Sequence, residues 1–341
     1  DAHPGPAWNS EGNDRHTVTE AKLVMGRINA ARPIGGKLDR LDVDAARAAI
    51  NMHVAAPLGR DVMAAAEAII RVANSKMAGA IRLVSIERGF DPKKFAAMPF
   101  GGGGALHAGA LIKEVSLKSA LVPRFPGINS ALGCIIADMR HDFVQTVNAG
   151  LADLDMDELD RRMTELARAG LDLLDTSGVA FMGVDVLFEL DMCYQGQTHT
   201  VDVTLPGHFD GASTGLDARM IRVAFEGRYN AVYGRLLDGI AIRVLNLRVT
   251  AIGRRPKFDL TLLAPSDGVS LDDVRRDSRQ VWFDGNWHET AIYDRLPLSV
   301  GVIVPGPAIL EQPDSTSFIE PDLEGAVDRF GNLIITRKEE A

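Results

Sequence analysis

Phe100-Gly101-Gly102-Gly103-Gly104-Ala105-Leu106-His107-Ala108 is the stretch whose reading decides the fold. Four successive glycines carry no Cβ, so a ligand or another backbone can approach the chain closely there. The short apolar run Met98-Pro99-Phe100 leads in, and the residues that follow read as a helix from Ala105 to about Val115, with His107 in its first turn. Ala120-Leu121-Val122-Pro123 then reads as a short strand. Strand, glycine turn, helix and strand in that order predict an α/β core. The free N–H groups and positive dipole end of a helix start suit an anion or a nucleotide. The spacing matches neither G-x-G-x-x-G nor G-x-x-x-x-G-K-[ST], so on spacing alone nucleotide binding and a tightly packed turn stand equally open. His107 reads first as a capping or packing histidine and second as a catalytic one.

Upstream of the loop, Thr17 or Thr19 caps a short helix running through Met25, and Asp42 caps a second over Asp42 to His53. Residues 59–81 form the best helix of this half, with Val62, Ala65, Ala66, Ile69, Ile70, Ala73 and Met77 in one buried stripe and Arg71, Asn74 and Lys76 off it. Downstream, Pro126-Gly127 is a turn, and the small apolar residues from Ser130 to Ala137 predict a helix packed closely on its neighbours. Asp138-Met139-Arg140-His141-Asp142 follows as a charged cluster. His141 and Asp142 are candidate ligand, metal or catalytic groups, against the plainer reading of a solvated helix end making ion pairs.

The pattern changes near Val147. Asp157 to Leu174 reads as an amphipathic helix with Leu159, Met163, Leu166, Leu173 and Leu174 on one face. Val184 to Met192 and Val201 to Leu205 alternate with period two about Gln195-Gly196-Gln197, a hairpin. A helix from Asp217 to Val232 and a strand from Ile240 to Ile252 complete an α+β unit, and after Arg254 the chain carries short β segments punctuated by Pro and Gly.

Composition bounds the function. At 341 residues, 46% hydrophobic and 24% charged, the chain belongs to the folded, two- or three-domain class. A net charge of -9 argues against a nucleic-acid partner, which needs a basic face. No apolar run approaches the roughly 20 residues that span a bilayer. Cys134 and Cys193 are the only cysteines, too few for a disulfide framework or a thiolate zinc site, and read as reduced cytosolic thiols. Asp1 is not an initiator, and Pro4-Gly5-Pro6 reads as the interior of a longer protein.

At these same residues the chain resembles the hydantoinase/oxoprolinase family. Phe100 to Ala108 is similar to its F-G-G-A-G-P-L-H-A signature, and PGINSALGCIIADMRHD, from Pro126 to Asp142, is similar to its P-G-x-x-S-A-L-G-x-x-x-A-D-x-R-H-D block. Pro4-Gly5-Pro6-Ala7, Thr17-Val18-Thr19-Glu20-Ala21, Tyr194-Gln195-Gly196-Gln197 and Gly306-Pro307-Ala308-Ile309-Leu310-Glu311 are similar to its P-G-P-A, T-V-T-D-A, Y-x-G-Q and G-P-A-I-x-E elements. The landmarks fall in family order from end to end. Departures are His3 for Asp, Trp8 for Cys, Glu20 for Asp, Ala105 for Pro and Cys193 for Arg.

The resemblance implies the carboxyl-terminal half of a hydantoinase A type subunit. Its fold would be α/β: the second part of an actin-like (ASKHA) ATPase core over residues 1–148, an α+β domain over 149–255 and a β-rich carboxyl-terminal region over 256–341. It implies part of a cytoplasmic, multisubunit, ATP-dependent hydrolase that phosphorylates the carbonyl of a cyclic amide before ring opening. ATP and Mg²⁺ or another divalent cation are the implied cofactors. A complementary amino-terminal half, which would carry the D-x-G-G-T phosphate segments, and a hydantoinase B type subunit are the implied partners. Gly101, Gly102, Gly103 and Gly104, with His107, would line the adenosine side of the ATP cleft. No catalytic base or metal ligand is assigned beyond the candidates His141 and Asp142. Two alternatives are a subunit of an ATP-dependent ketone carboxylase of the acetone or acetophenone type, and an inactive structural half.

Overall fold

The computed structural model describes residues 7, 14–36 and 39–338, and the Pro4-Gly5-Pro6 landmark, His3 and Trp8 lie outside them. The chain divides into two units, residues 1–133 with 259–341, and residues 134–258.

Helix α1 (Val18–Val24) opens on a capping box: Thr17 accepts from Thr19 N–H at 3.1 Å, and Glu20 accepts from Thr17 N–H at 2.7 Å. Asp42 caps α2 (Val43–Ile50), accepting from Ala45 N–H at 2.9 Å, and a π-turn over Asn51–Ala55 leads into α3 (Ala56–Leu58). Asp61 caps α4 (Val62–Val84), which runs one turn past the expected end at residue 81. Leu23, Val24, Met25, Ile50, Ala65, Ala66 and Ile70 form the core these helices share. Strand β1 (Ala96–Ala97) precedes the glycine loop. A 3-10 turn, Gly104–His107, comes before α5 (Ala108–Val115), and β2 (Ser119–Val122) follows. Helix α6 (Asn129–Ile136) forms as expected, but none of its residues is buried, and Ile135 is 64% exposed. Its small apolar composition fixes the helix and not a neighbour.

The second unit is an antiparallel sheet under two helices. Strands β3 (Met139–Gly150), β4 (Gly183–Tyr194), β5 (Val201–Thr204) and β6 (Ile242–Arg254) lie in the order β3-β6-β4-β5. Leu159 and Met163 of α7 (Met156–Thr176) and Ile221 and Phe225 of α8 (Ala218–Tyr233) pack on Phe188, Leu190, Val203, Leu247 and Val249. Leu173, expected in the stripe of α7, is 46% exposed. Gly170 takes an inner position, and a Cβ there would stand 2.6 Å from Ala251 Cβ, so only glycine lets α7 lie this close to the sheet. The unit starts at 134 and not at 149 because β3 pairs with β6 from Met139↔Gly253 to Gly150↔Arg243.

The carboxyl-terminal strands are β7 (Arg275–Phe283), β8 (Asn286–Asp294), β9 (Ile303–Pro305), β10 (Ala308–Gln312), β11 (Ser315–Ile319), β12 (Leu323–Val327) and β13 (Leu333–Arg337). They do not form the separate domain expected over 256–341. Strand β13 pairs with β2, Leu333 opposite Val122 and Ile335 opposite Ala120, giving a five-stranded sheet β1-β2-β13-β12-β9. A four-stranded sheet β11-β10-β8-β7 completes this unit. Ala105, Ile112 and Val122 share one core with Leu310, Ile319, Leu323 and Leu333, which anchors the glycine loop's flanks to the tail. Among the described residues no helix is long and apolar enough to cross a membrane.

Candidate functional site

The glycine loop is held on three sides within its unit. Gly101 N–H donates to Pro126 O at 2.6 Å, and Ser315 Oγ donates to Gly101 O and Gly102 O at 3.3 Å. Thr316 N–H reaches Gly102 O at 3.2 Å, and Lys22 Nζ reaches Gly103 O at 3.1 Å. Gly101 takes φ 82°, a conformation that other residues adopt only under strain. At Gly102 a Cβ would meet Asp314 O at 3.5 Å and Ile34 Cγ2 at 3.6 Å, ordinary contacts, so the backbone demand lies at Gly101. The α-helix begins at Ala108, one 3-10 turn after the loop, and not at Ala105. The helix start therefore does not adjoin the glycines.

Behind the loop lies a buried polar cluster. His107 donates from Nδ1 to Asn74 Oδ1 at 2.6 Å. Burial, then the charges of Lys22 and Arg27, push its pKa down to about 3, so the ring is neutral near pH 7. That geometry is a packing and positioning role, not proton transfer near neutrality. Burial and then Arg27 lower the Lys22 pKa to about 8. The Arg27 guanidinium sits 5.0 Å from the Phe318 ring centroid and donates to Trp282 O at 3.3 Å. Burial lowers its pKa, against the pull of Glu320 and Glu67. Glu320 is 4% exposed and paired with Lys113 at 2.5 Å. Burial raises the Glu320 pKa, and Lys113 opposes the rise. Sequence reading missed Lys22, Arg27, Asn74 and Glu320 as site residues. Asn74 had a signal: Ala66, Ile70, Asn74 and Ala78 fall four apart on the buried face of α4.

His141 and Asp142 do not work together. They are successive residues of β3, so their side chains leave opposite faces of the sheet. Asp142 accepts from Arg140 Nε at 2.9 Å and from Thr250 Oγ1 at 2.7 Å, and the Arg140 bond, outweighing partial burial, holds its pKa below the ordinary carboxylate value. His141 Nε2 is buried without a hydrogen-bond partner. With Asp138 bonded to Arg254 at 2.9 Å, the charged cluster is an ion-pair network on a strand rather than at a helix end. Among the described residues no group of three or more His, Cys, Asp or Glu could hold a metal ion.

Comparison with known proteins agrees with this architecture. The chain is 30% identical to caprolactamase subunit alpha of Pseudomonas jessenii over 98% of its length and 48% of that protein. It is 28% identical to 5-oxoprolinase 1 of Arabidopsis thaliana over 98% of this chain and 27% of that one. It is 26% identical to the acetophenone carboxylase gamma subunit of Aromatoleum aromaticum over 97% of this chain and 46% of that one. The chain thus spans about half the length, or less, of the curated relatives it matches. The crystal structure of ATP-dependent caprolactamase from Pseudomonas jessenii superposes with a TM-score of 0.75 at 28% identity, covering 99% of this chain and 49% of that one. The expected actin-like, mixed α/β fold class holds. Residues 1–143 match the family profile described as hydantoinase/oxoprolinase, and residues 152–337 match the hydantoinase/oxoprolinase C-terminal domain. With both profiles in order along one chain, this protein belongs to the hydantoinase/oxoprolinase family.

Proposed function

We propose that this chain is part of an ATP-dependent cyclic-amide hydrolase. One observation carries the reading: its likeness to caprolactamase runs the length of the chain in both sequence and structure. An amide is a poor electrophile, and phosphorylating its carbonyl oxygen makes that oxygen a leaving group. ATP bound to the enzyme supplies the phosphoryl group. On this reading Gly101 to Gly104 approach the nucleotide, Lys22 fixes the loop through Gly103 O, and neutral His107 supports it from beneath without adding charge. The glycine loop suits a nucleotide, because it presents backbone without side chains and is anchored by Ser315, Thr316 and Lys22. No group of three or more His, Cys, Asp or Glu among the described residues could hold a divalent cation by itself, so no step here runs through one. A complementary amino-terminal polypeptide and a hydantoinase B type subunit are the proposed partners, and the cytoplasm is the proposed location.

A second reading, a ketone carboxylase subunit, is favoured by the likeness to the acetophenone carboxylase gamma subunit over 97% of the chain. The assembled enzyme is offered ATP with a lactam or hydantoin, or ATP with a ketone and bicarbonate. Phosphate release coupled to ring opening is the expected result. Bicarbonate-dependent consumption of the ketone without ring opening overturns the hydrolase, and no nucleotide use with either substrate leaves an inactive structural half.

A further inference from the structure

The turn after β4 carries Tyr194-Gln195-Gly196-Gln197, a landmark to which the proposed function gives no role. Gly196 takes φ 93°, and Gln197 N–H closes the turn onto Tyr194 O at 3.1 Å. The Gln197 side chain is oriented by two bonds. Its Oε1 accepts from Tyr194 N–H at 3.2 Å, which leaves the amide nitrogen to donate to the Tyr229 hydroxyl at 2.7 Å. Tyr229 is therefore the acceptor in this pair, and its own proton has no acceptor among the described residues. The ring cannot swing away. It is packed against Tyr194 at 4.8 Å, Phe225 at 5.4 Å and Tyr233 at 4.5 Å between centroids.

Tyr229 lines a cavity of about 560 Å³, with Tyr233 as an aromatic wall and Arg235 and His199 also lining it. No carboxylate lines the cavity, so no anionic acceptor there competes for the proton. A fixed neutral donor beside an aromatic wall matches a neutral acceptor on a flat molecule. We infer that this pocket receives the carbonyl oxygen of a small uncharged carbonyl compound, bonded to the Tyr229 O–H with its ring against Tyr233. Naming that compound a lactam rather than a ketone rests on the proposed function, and the pocket itself does not.

The test titrates this chain with ε-caprolactam and, separately, with acetophenone, followed by saturation-transfer NMR. Tyr229→Phe keeps the packed ring and removes only the hydroxyl, and circular dichroism checks the fold. Loss of one hydrogen bond predicts about tenfold weaker binding. Tyr233→Ala, at an exposed position, weakens binding without touching the Gln197–Tyr229 bond. Lactam binding that falls in Tyr229→Phe supports the pocket and the amide, and acetophenone binding that falls in the same way supports the pocket with a ketone. Binding of neither compound, affinity unchanged in Tyr229→Phe, or binding that is lost only in Arg235→Gln overturns the inference. Intact lactam binding without ATP-driven ring opening in the assembled enzyme counts against the proposed function alone.

Discussion

Replacing Lys22 by methionine removes a buried ammonium and keeps a chain of similar length. Lys22 is 6% exposed, and burial, then the charge of Arg27, takes its pKa from 10.5 to about 8. That change corresponds to about 3 kcal/mol of folding free energy. Below pH 8 the folded and unfolded chains both carry the proton, and the folded chain bears the whole penalty. Between about 8 and 10.5 the unfolded chain keeps the proton while the folded chain has lost it, so this group's contribution to stability rises with pH. Gly103 O also receives Leu106 N–H at 3.4 Å, so losing the lysine does not orphan it. The lost bond takes back about 1 kcal/mol. Lys22→Met is therefore about 2 kcal/mol more stable than the parent at pH 7, and that advantage disappears by about pH 10. Urea denaturation of both proteins at pH 7, 8, 9 and 10 measures the difference. The assembled enzyme carrying Lys22→Met binds ATP more weakly, since the glycine loop has lost an anchor. A stability difference constant across that pH range, or a variant less stable at pH 7, refutes the reasoning.

Three further outcomes are expected. His107 stays neutral until about pH 3 when folded but charges near 6.5 when unfolded, so its stabilising share is present above pH 6.5 and is lost as pH falls towards 3. The loss reaches about 4–5 kcal/mol, and acid titration of His107→Gln is correspondingly flatter between those limits. Asn74→Leu removes the hydrogen-bond partner of His107 Nδ1. Leaving that buried donor unpaired lowers stability by about 1–3 kcal/mol in denaturant melts. Gly101→Ala must hold a left-handed backbone at φ 82°. It loses about 1–2 kcal/mol, while Gly102→Ala stays close to the parent, a contrast readable by calorimetry.

The local elements were legible because their signals are local. Asp42, Asp61, Asp155 and Asp217 each cap the helix that follows, and the period-two run from Val184 pairs with Val201 to Thr204 as a hairpin. What failed depends on pairings far apart in sequence. The β2–β13 pairing, with the core that Val122 shares with Leu310 and Leu333, shows that the tail belongs to the first unit, and the β3–β6 pairing shows that Met139 to Gly150 belongs to the second. Strand β12 carries little local strand signal because Gly325 interrupts Leu323-Glu324-Gly325-Ala326-Val327. Asn74 reads as polar and off the stripe although it follows Ile70 by four residues, and the His107 ring that it pairs with lies 33 positions away. His141 and Asp142 looked like a pair because adjacency in sequence hides the alternation of a strand. The glycine loop itself was found where expected, but its anchors, Lys22, Ser315 and Thr316, come from segments that no local window joins.

The loop from Gly101 to Gly104 is proposed to hold ATP. Hydrogen–deuterium exchange of the assembled enzyme with and without ATP tests it most directly. Slowed exchange at the amides of Gly101 to His107 is expected when ATP is added, with loss of that protection in Gly101→Val. Unchanged exchange across these residues, with protection confined to other segments, contradicts it.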